Sequence, residues 1–79
     1  MNTKEFAAII RYVRSVNRQI ELALLKQKQN PGTWSFITCA RPEAHTDYFR
    51  QYFQLRGFKV RALPSKPHDV IISWGHLGN

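Results

Sequence analysis

Residues 52–63 read Tyr-Phe-Gln-Leu-Arg-Gly-Phe-Lys-Val-Arg-Ala-Leu, and the period of their apolar residues changes at Gly57. Before Gly57, the residues His45, Phe49, Tyr52, Phe53 and Arg56 recur at helical spacing on one face. After it, Phe58-Lys59-Val60-Arg61-Ala62-Leu63 alternates apolar and basic residues, which predicts a half-exposed strand. A glycine at that junction suits the left-handed residue just past a helix C-terminus. Pro42 sits where a first helical turn accepts proline, so the spacing predicts a helix over about residues 42–56.

Outward from this junction the other elements follow. Trp34-Ser35-Phe36-Ile37-Thr38-Cys39 is rich in aromatic and β-branched residues and reads as a strand. Pro64 to Asp69 contains two prolines and reads as a turn, Val70-Ile71-Ile72-Ser73-Trp74 as a buried strand, and Gly75 to Asn79 as a short tail. At the N-terminus, Phe6, Ile9, Val13, Val16, Ile20 and Ala23 draw one apolar stripe and predict a helix over residues 3–29. Asn2 or Thr3 caps it, Glu5 favours its dipole, and Asn30-Pro31-Gly32 stops it. The expected architecture is a single α+β domain over residues 1–79, in the order α-β-α-β-β. Residues 1–30 form the long helix and 34–74 a β-α-β-β unit, with both helices on one face of a three-stranded sheet whose strand order stays open. If the strands flanking the second helix are parallel, their connection is right-handed. A 27-residue helix is about 40 Å long, which predicts that part of it overhangs the domain or packs on something else.

The run Tyr52 to Val60, followed by Val70-Ile71-Ile72-Ser73-Trp74, resembles a pattern in small proteins encoded by tailed bacteriophages. Those are similar in size, with a leading helix, a helix ending in Gly-aromatic-X-Val, and a closing strand ending Ile-Ser-Trp. The likeness covers about residues 34–74, and this chain is more basic and has the two-proline loop. The resemblance implies the fold and a viral origin, and it carries no catalytic residue.

The chain has 79 residues, 43% hydrophobic and 22% charged, which excludes a disordered composition. Folding at this size buries roughly 63% of the extended surface, so the core is small. One cysteine cannot form an internal disulfide, and no apolar run approaches the length of a membrane span. Without a signal-peptide pattern, the host cytoplasm or a virion is the expected location. Twelve Lys and Arg stand against five Asp and Glu, a net charge of +7 spread along the chain rather than gathered in a tail.

Few residues suggest chemistry. Cys39, His45, Asp47, His68, Asp69 and His76 are metal-ligand types without a recognised spacing, so no metal and no cofactor is expected. Cys39 precedes a predicted helix N-terminus, where a dipole activates thiols, but the local sequence sets no base beside it. It is expected to be a packing residue, and the chain is expected not to be an enzyme. Arg41, at the same junction, makes a candidate anion site with the helix N-terminus, unless Glu43 and Asp47 already satisfy that end.

The outward face of the first helix carries more information. Lys4, Arg11, Arg14 and Arg18 lie nearly opposite the apolar stripe, and Lys59 and Arg61 project from the polar side of a strand. A solubilising face is the plain alternative to a polyanion site. Leu22, Leu25, Tyr48 and Leu55 fall off the core-facing stripes and are candidates for a protein interface. These features predict a small basic accessory protein that binds DNA or RNA through phosphates without strong sequence preference. The alternatives are a self-associating structural or virion assembly protein, or an inhibitor that docks on an acidic host protein.

Overall fold

The computed structural model of the chain describes residues 2–30, 32 and 35–74. Pro31, Trp34, His76 and the tail expected over residues 75–79 lie outside the described residues. The fold is α+β, in the order expected: α1 (Thr3–Gln29), β1 (Phe36–Cys39), a 3₁₀ turn (Pro42–His45), α2 (Asp47–Leu55), β2 (Lys59–Ala62) and β3 (Val70–Ser73).

Local chemistry accounts for the helix ends. Asn2 Oδ1 accepts from the Glu5 amide at 2.8 Å, the N-cap of α1. At the end of α2, Gly57 adopts a left-handed φ of 91°, a conformation that side-chain-bearing residues adopt only under strain. The amide of Gly57 donates to Gln54 O and that of Phe58 to Phe53 O, both at 3.0 Å, while the Phe53 and Phe58 rings meet 6.1 Å apart. This is a Schellman motif with its usual hydrophobic contact.

The expected helix over 42–56 is divided in two. Thr46 is extended, with ψ 152°, and its hydroxyl accepts from the Phe49 amide at 3.3 Å, so α2 starts from its own cap rather than continuing from Pro42. The division also alters the expected apolar face. Phe49 and Phe53 are buried and Tyr52 is half-buried, but His45 and Arg56 are exposed.

The sheet order is β1-β3-β2, with both pairings antiparallel. The β2–β3 connection closes as a hairpin, with the Leu63 amide donating to Asp69 O at 3.2 Å. β1 then takes the free edge of β3. β1 and β2 therefore run in the same direction without touching, and α2 crosses between two strands separated by a third. Central position suits β3, whose Val70-Ile71-Ile72 run is apolar on both faces, while the basic Lys59 and Arg61 lie on an edge strand.

One face of the sheet carries the core. Cys39, Val70 and Ile72 meet Ile9, Val13, Val16 and Ile20 of α1, Ala44, and Phe49 and Phe53 of α2 in one buried cluster. The register puts Ile37, Ile72 and Val60 on this face, and Phe36, Thr38, Ile71, Ser73, Lys59 and Arg61 on the other. Most of the long helix packs on the domain: buried positions on α1 extend from Ile9 to Gln27, and Phe6 in its first turns meets Tyr48.

Candidate nucleic-acid interface

The basic row on α1 is built by the helix period. Ile9, Val13, Val16 and Ile20 point into the core, so Lys4, Arg11, Arg14 and Arg18 point away from it, and all four are exposed. They span about 20 Å of helix. The two ion pairs among the described residues join Arg41 to Glu43 and Arg50 to Asp47, and neither takes a cation from the row. Leu22 and Leu25 continue the same outward line towards the C-terminus, at 55% and 54% exposure.

Lys59 and Arg61 are not part of that surface. They leave the sheet on the face away from the helices, so the two basic groups lie on opposite sides of the two-layer domain, whose smallest extent is 18 Å. The row on α1 and the pair on β2 are therefore two separate surfaces, because the parity of β2 turns both side chains away from the core.

Arg41 lies in a different setting from the one expected. The turn that follows it is 3₁₀, and the α-helical N-terminus begins only at Asp47, under the Thr46 cap. The Arg41 Nε donates to Glu43 Oε2 at 3.0 Å, and the guanidinium carbon sits 5.7 Å from the Tyr12 ring centre. That hydrogen bond holds the Glu43 carboxyl below its usual pKa and raises that of Arg41. The structure does bring Arg41 and Arg11 together. Both line a cleft of about 450 Å³ between α1 and the β1 end, with Tyr12, Ser15, Gln19 and Glu43.

Cys39 is buried against α1, at 2% exposure. Burial pushes its thiol pKa up, and a hydrogen bond from Tyr12 opposes the rise only in part. Burial likewise raises the Tyr12 phenol above its ordinary range, with Cys39 adding to the shift. Both groups are protonated at neutral pH. Among the described residues no three metal-ligating side chains gather. The His45 Nε2–H donates to the His68 carbonyl at 2.7 Å, linking the 3₁₀ turn to the hairpin loop. No described helix is long and apolar enough to cross a membrane.

The aromatics of α2 divide by face. Phe49 stacks on Tyr12 and Phe53 packs against Phe58, inside the core. Tyr48, 37% exposed, meets Phe6 edge-on at 5.1 Å, so its ring is partly used within the molecule. Tyr52 accepts from Asn17 Nδ2 at 2.9 Å and lies 4.1 Å beneath the Arg56 guanidinium. Leu55 is the most open of the candidate interface residues, at 87%. Phe36, Thr38 and Ser73 were not candidates from the sequence alone. Only the pairing register places them beside Lys59 and Arg61.

Comparison with known proteins gives no matching family model, no matching curated protein and no matching solved structure.

Proposed function

We propose that this is a non-enzymatic accessory protein that binds nucleic acid through its phosphates, without strong sequence preference, using the outward row of α1. The observation that carries this reading is the row itself, four exposed cations in line and outside both ion pairs. A backbone-tracking contact needs that arrangement and needs no base-reading side chains. The row holds Lys and Arg but lacks the Asn or Gln that would read adenine edges. A viral origin belongs to the same proposal, and rests only on the resemblance over Tyr52 to Val60 and Val70 to Trp74.

A second reading is favoured by Leu22, Leu25 and Leu55, each more than half exposed. Such side chains suit a protein contact, either with a second copy or with an acidic partner. Light scattering at high micromolar concentration tests self-association. A strict monomer, unchanged by Leu22→Glu with Leu25→Glu, removes it.

Salt titration tests the main reading. If the four cations each meet a phosphate on a duplex, log affinity falls with log salt at a slope of about −3.6. Changing Arg11, Arg14 and Arg18 together to Gln leaves one contact and a slope of about −0.9. A triple variant that binds duplex as the parent does makes the row a solubilising face.

A further inference from the structure

The free edge of β2 is a feature that the α1 row leaves unexplained. In the order β1-β3-β2, β2 pairs with β3 on one side and with no strand among the described residues on the other. The Leu63 amide donates to Asp69 O one step beyond the β2–β3 register, so Arg61 and Lys59, at alternate positions, also bond to β3. The Trp74 amide donates to Ser35 O, which gives the same parity from the other side of β3. Val60 and Ala62 therefore direct their N–H and C=O groups outward along the edge.

Side chains frame that edge on both faces. Lys59 and Arg61 are exposed on the outer face, and neither belongs to an ion pair among the described residues. A cleft of about 380 Å³ lies along the edge, lined by Gln54, Phe58, Lys59, Val60 and Arg61. A second, of about 180 Å³, lies on the helix side of Val60 and Ala62, beside Ala44, His45 and Arg50. Val60 is only half-buried although its side chain faces the helices.

We infer that this edge receives an extended acidic segment of another protein as a fourth strand, with carboxylates at alternate positions opposite Lys59 and Arg61 and a small apolar side chain between them beside Val60. The site is separate from the α1 row, and the inference does not depend on the nucleic-acid reading. Backbone groups supply an attraction common to any strand, and the flanking side chains select among strands. Cations on an edge discourage pairing with neutral strands, which leave them uncompensated. They also exclude a second copy. Pairing two β2 edges about Val60 sets Lys59 against Arg61, and pairing them about Arg61 sets arginine against arginine. Carboxylates at alternate positions convert the same two cations into cross-strand ion pairs. The residue between them shares the face of Val60 and reaches the clefts. A polynucleotide would meet the cations but has no strand backbone to pair with Val60 and Ala62, so the edge favours a peptide.

The test uses a fluorescein-labelled peptide, Thr-Glu-Val-Glu-Val-Glu-Thr, and the full chain at low salt. Anisotropy is expected to show saturable binding, and amide exchange at Val60 and Ala62 is expected to slow in the complex. Lys59→Gln with Arg61→Gln is expected to weaken binding about tenfold. Ala62→Pro removes an outward N–H that β3 does not use, so the sheet is kept and binding is expected to be lost. A peptide N-methylated at both valines keeps its charge but loses the amides that face β2, and it is expected not to bind. The Arg11, Arg14 and Arg18 triple variant is expected to bind the peptide as the parent does. Unchanged thermal midpoints in the β2 variants show that folding is intact, and the N-methylated peptide tests pairing without altering the protein.

Absence of saturable binding by the parent would overturn the inference. Equal binding of the N-methylated peptide would do the same, since it would leave only attraction between charges. Slowed exchange at other amides, with Val60 and Ala62 unaffected, would place the peptide elsewhere and remove this site. An oligothymidylate of about a dozen nucleotides that binds more tightly than the peptide, and loses that affinity when Lys59 and Arg61 are changed, would give the edge to nucleic acid instead.

Discussion

The indole Nε1 of Trp74 donates to Oε1 of Gln27 at 3.0 Å, joining the residue that follows β3 to the last turn of α1. Gln27 is 3% exposed and Trp74 is half-buried, so the helix side of this polar contact lies inside the protein. Phe58 packs edge-on against Trp74 at 6.0 Å and Phe53 against Phe58, so the contact continues an aromatic chain from α2. The far end of the long helix is thereby held to the domain.

This contact predicts a coupled pair. Gln27→Leu leaves the half-buried Trp74 N–H without its acceptor but also removes Gln27 Nε2, a buried donor with no partner among the described residues, so stability is expected to fall by only about 1 kcal/mol. In a Trp74→Phe background the same change is expected to have a much smaller effect. Urea denaturation of the four proteins measures the coupling, and additive losses would show that the hydrogen bond contributes little.

Gly57→Ala is expected to destabilise the protein by about 1–2 kcal/mol, through strain at a left-handed residue. A Cβ there would have no heavy atom within 4 Å, so the loss would come from the backbone and not from a clash. A variant as stable as the parent in chemical denaturation would count against the Schellman geometry.

Thr46→Ala removes the hydroxyl that caps α2, and the expected loss is about 1 kcal/mol. Thr46→Ser keeps the acceptor and is expected to stay close to the parent. Equal losses in both variants would assign the effect to the methyl group's packing instead.

Stability is expected to fall as pH rises through and above 9.0, the ordinary thiol value. Burial raises the folded-state pKa of Cys39, so the folded chain keeps a proton that the unfolded chain releases. The contribution is complete below the unfolded pKa and disappears as pH climbs through the folded one. Tyr12, also raised by burial, extends the decline to higher pH. Denaturation from neutral to alkaline pH should show a shallower decline for Cys39→Ala than for the parent. Equal slopes, together with rapid thiol modification of the native parent, would contradict the burial of Cys39.

The reach of the sequence ended where interactions became non-local. The span of α1 was legible from Thr3 to Gln29 because its stripe, cap and stop are set by residues within a few positions of one another. Gly57 was legible for the same reason, and it located the junction of α2 and β2. The break at Thr46 was also local, but a cap inside an apparently periodic run is hidden by the period, so residues 42–56 read as one helix. The exposure of Leu22, Leu25 and Leu55 followed from helix angles alone.

Strand order did not follow from the residues, because it depends on which free edge β1 meets after the β2–β3 hairpin has closed. That choice had consequences for the site. It set Phe36 in the same row as Lys59, and it sent Lys59 and Arg61 out through the face opposite the α1 cations. Sequence determined which side chains share a helix face or alternate along a strand, since both periods are properties of a short backbone segment. Only the tertiary structure decided which of those faces look the same way, because register and layer packing join residues far apart in the chain.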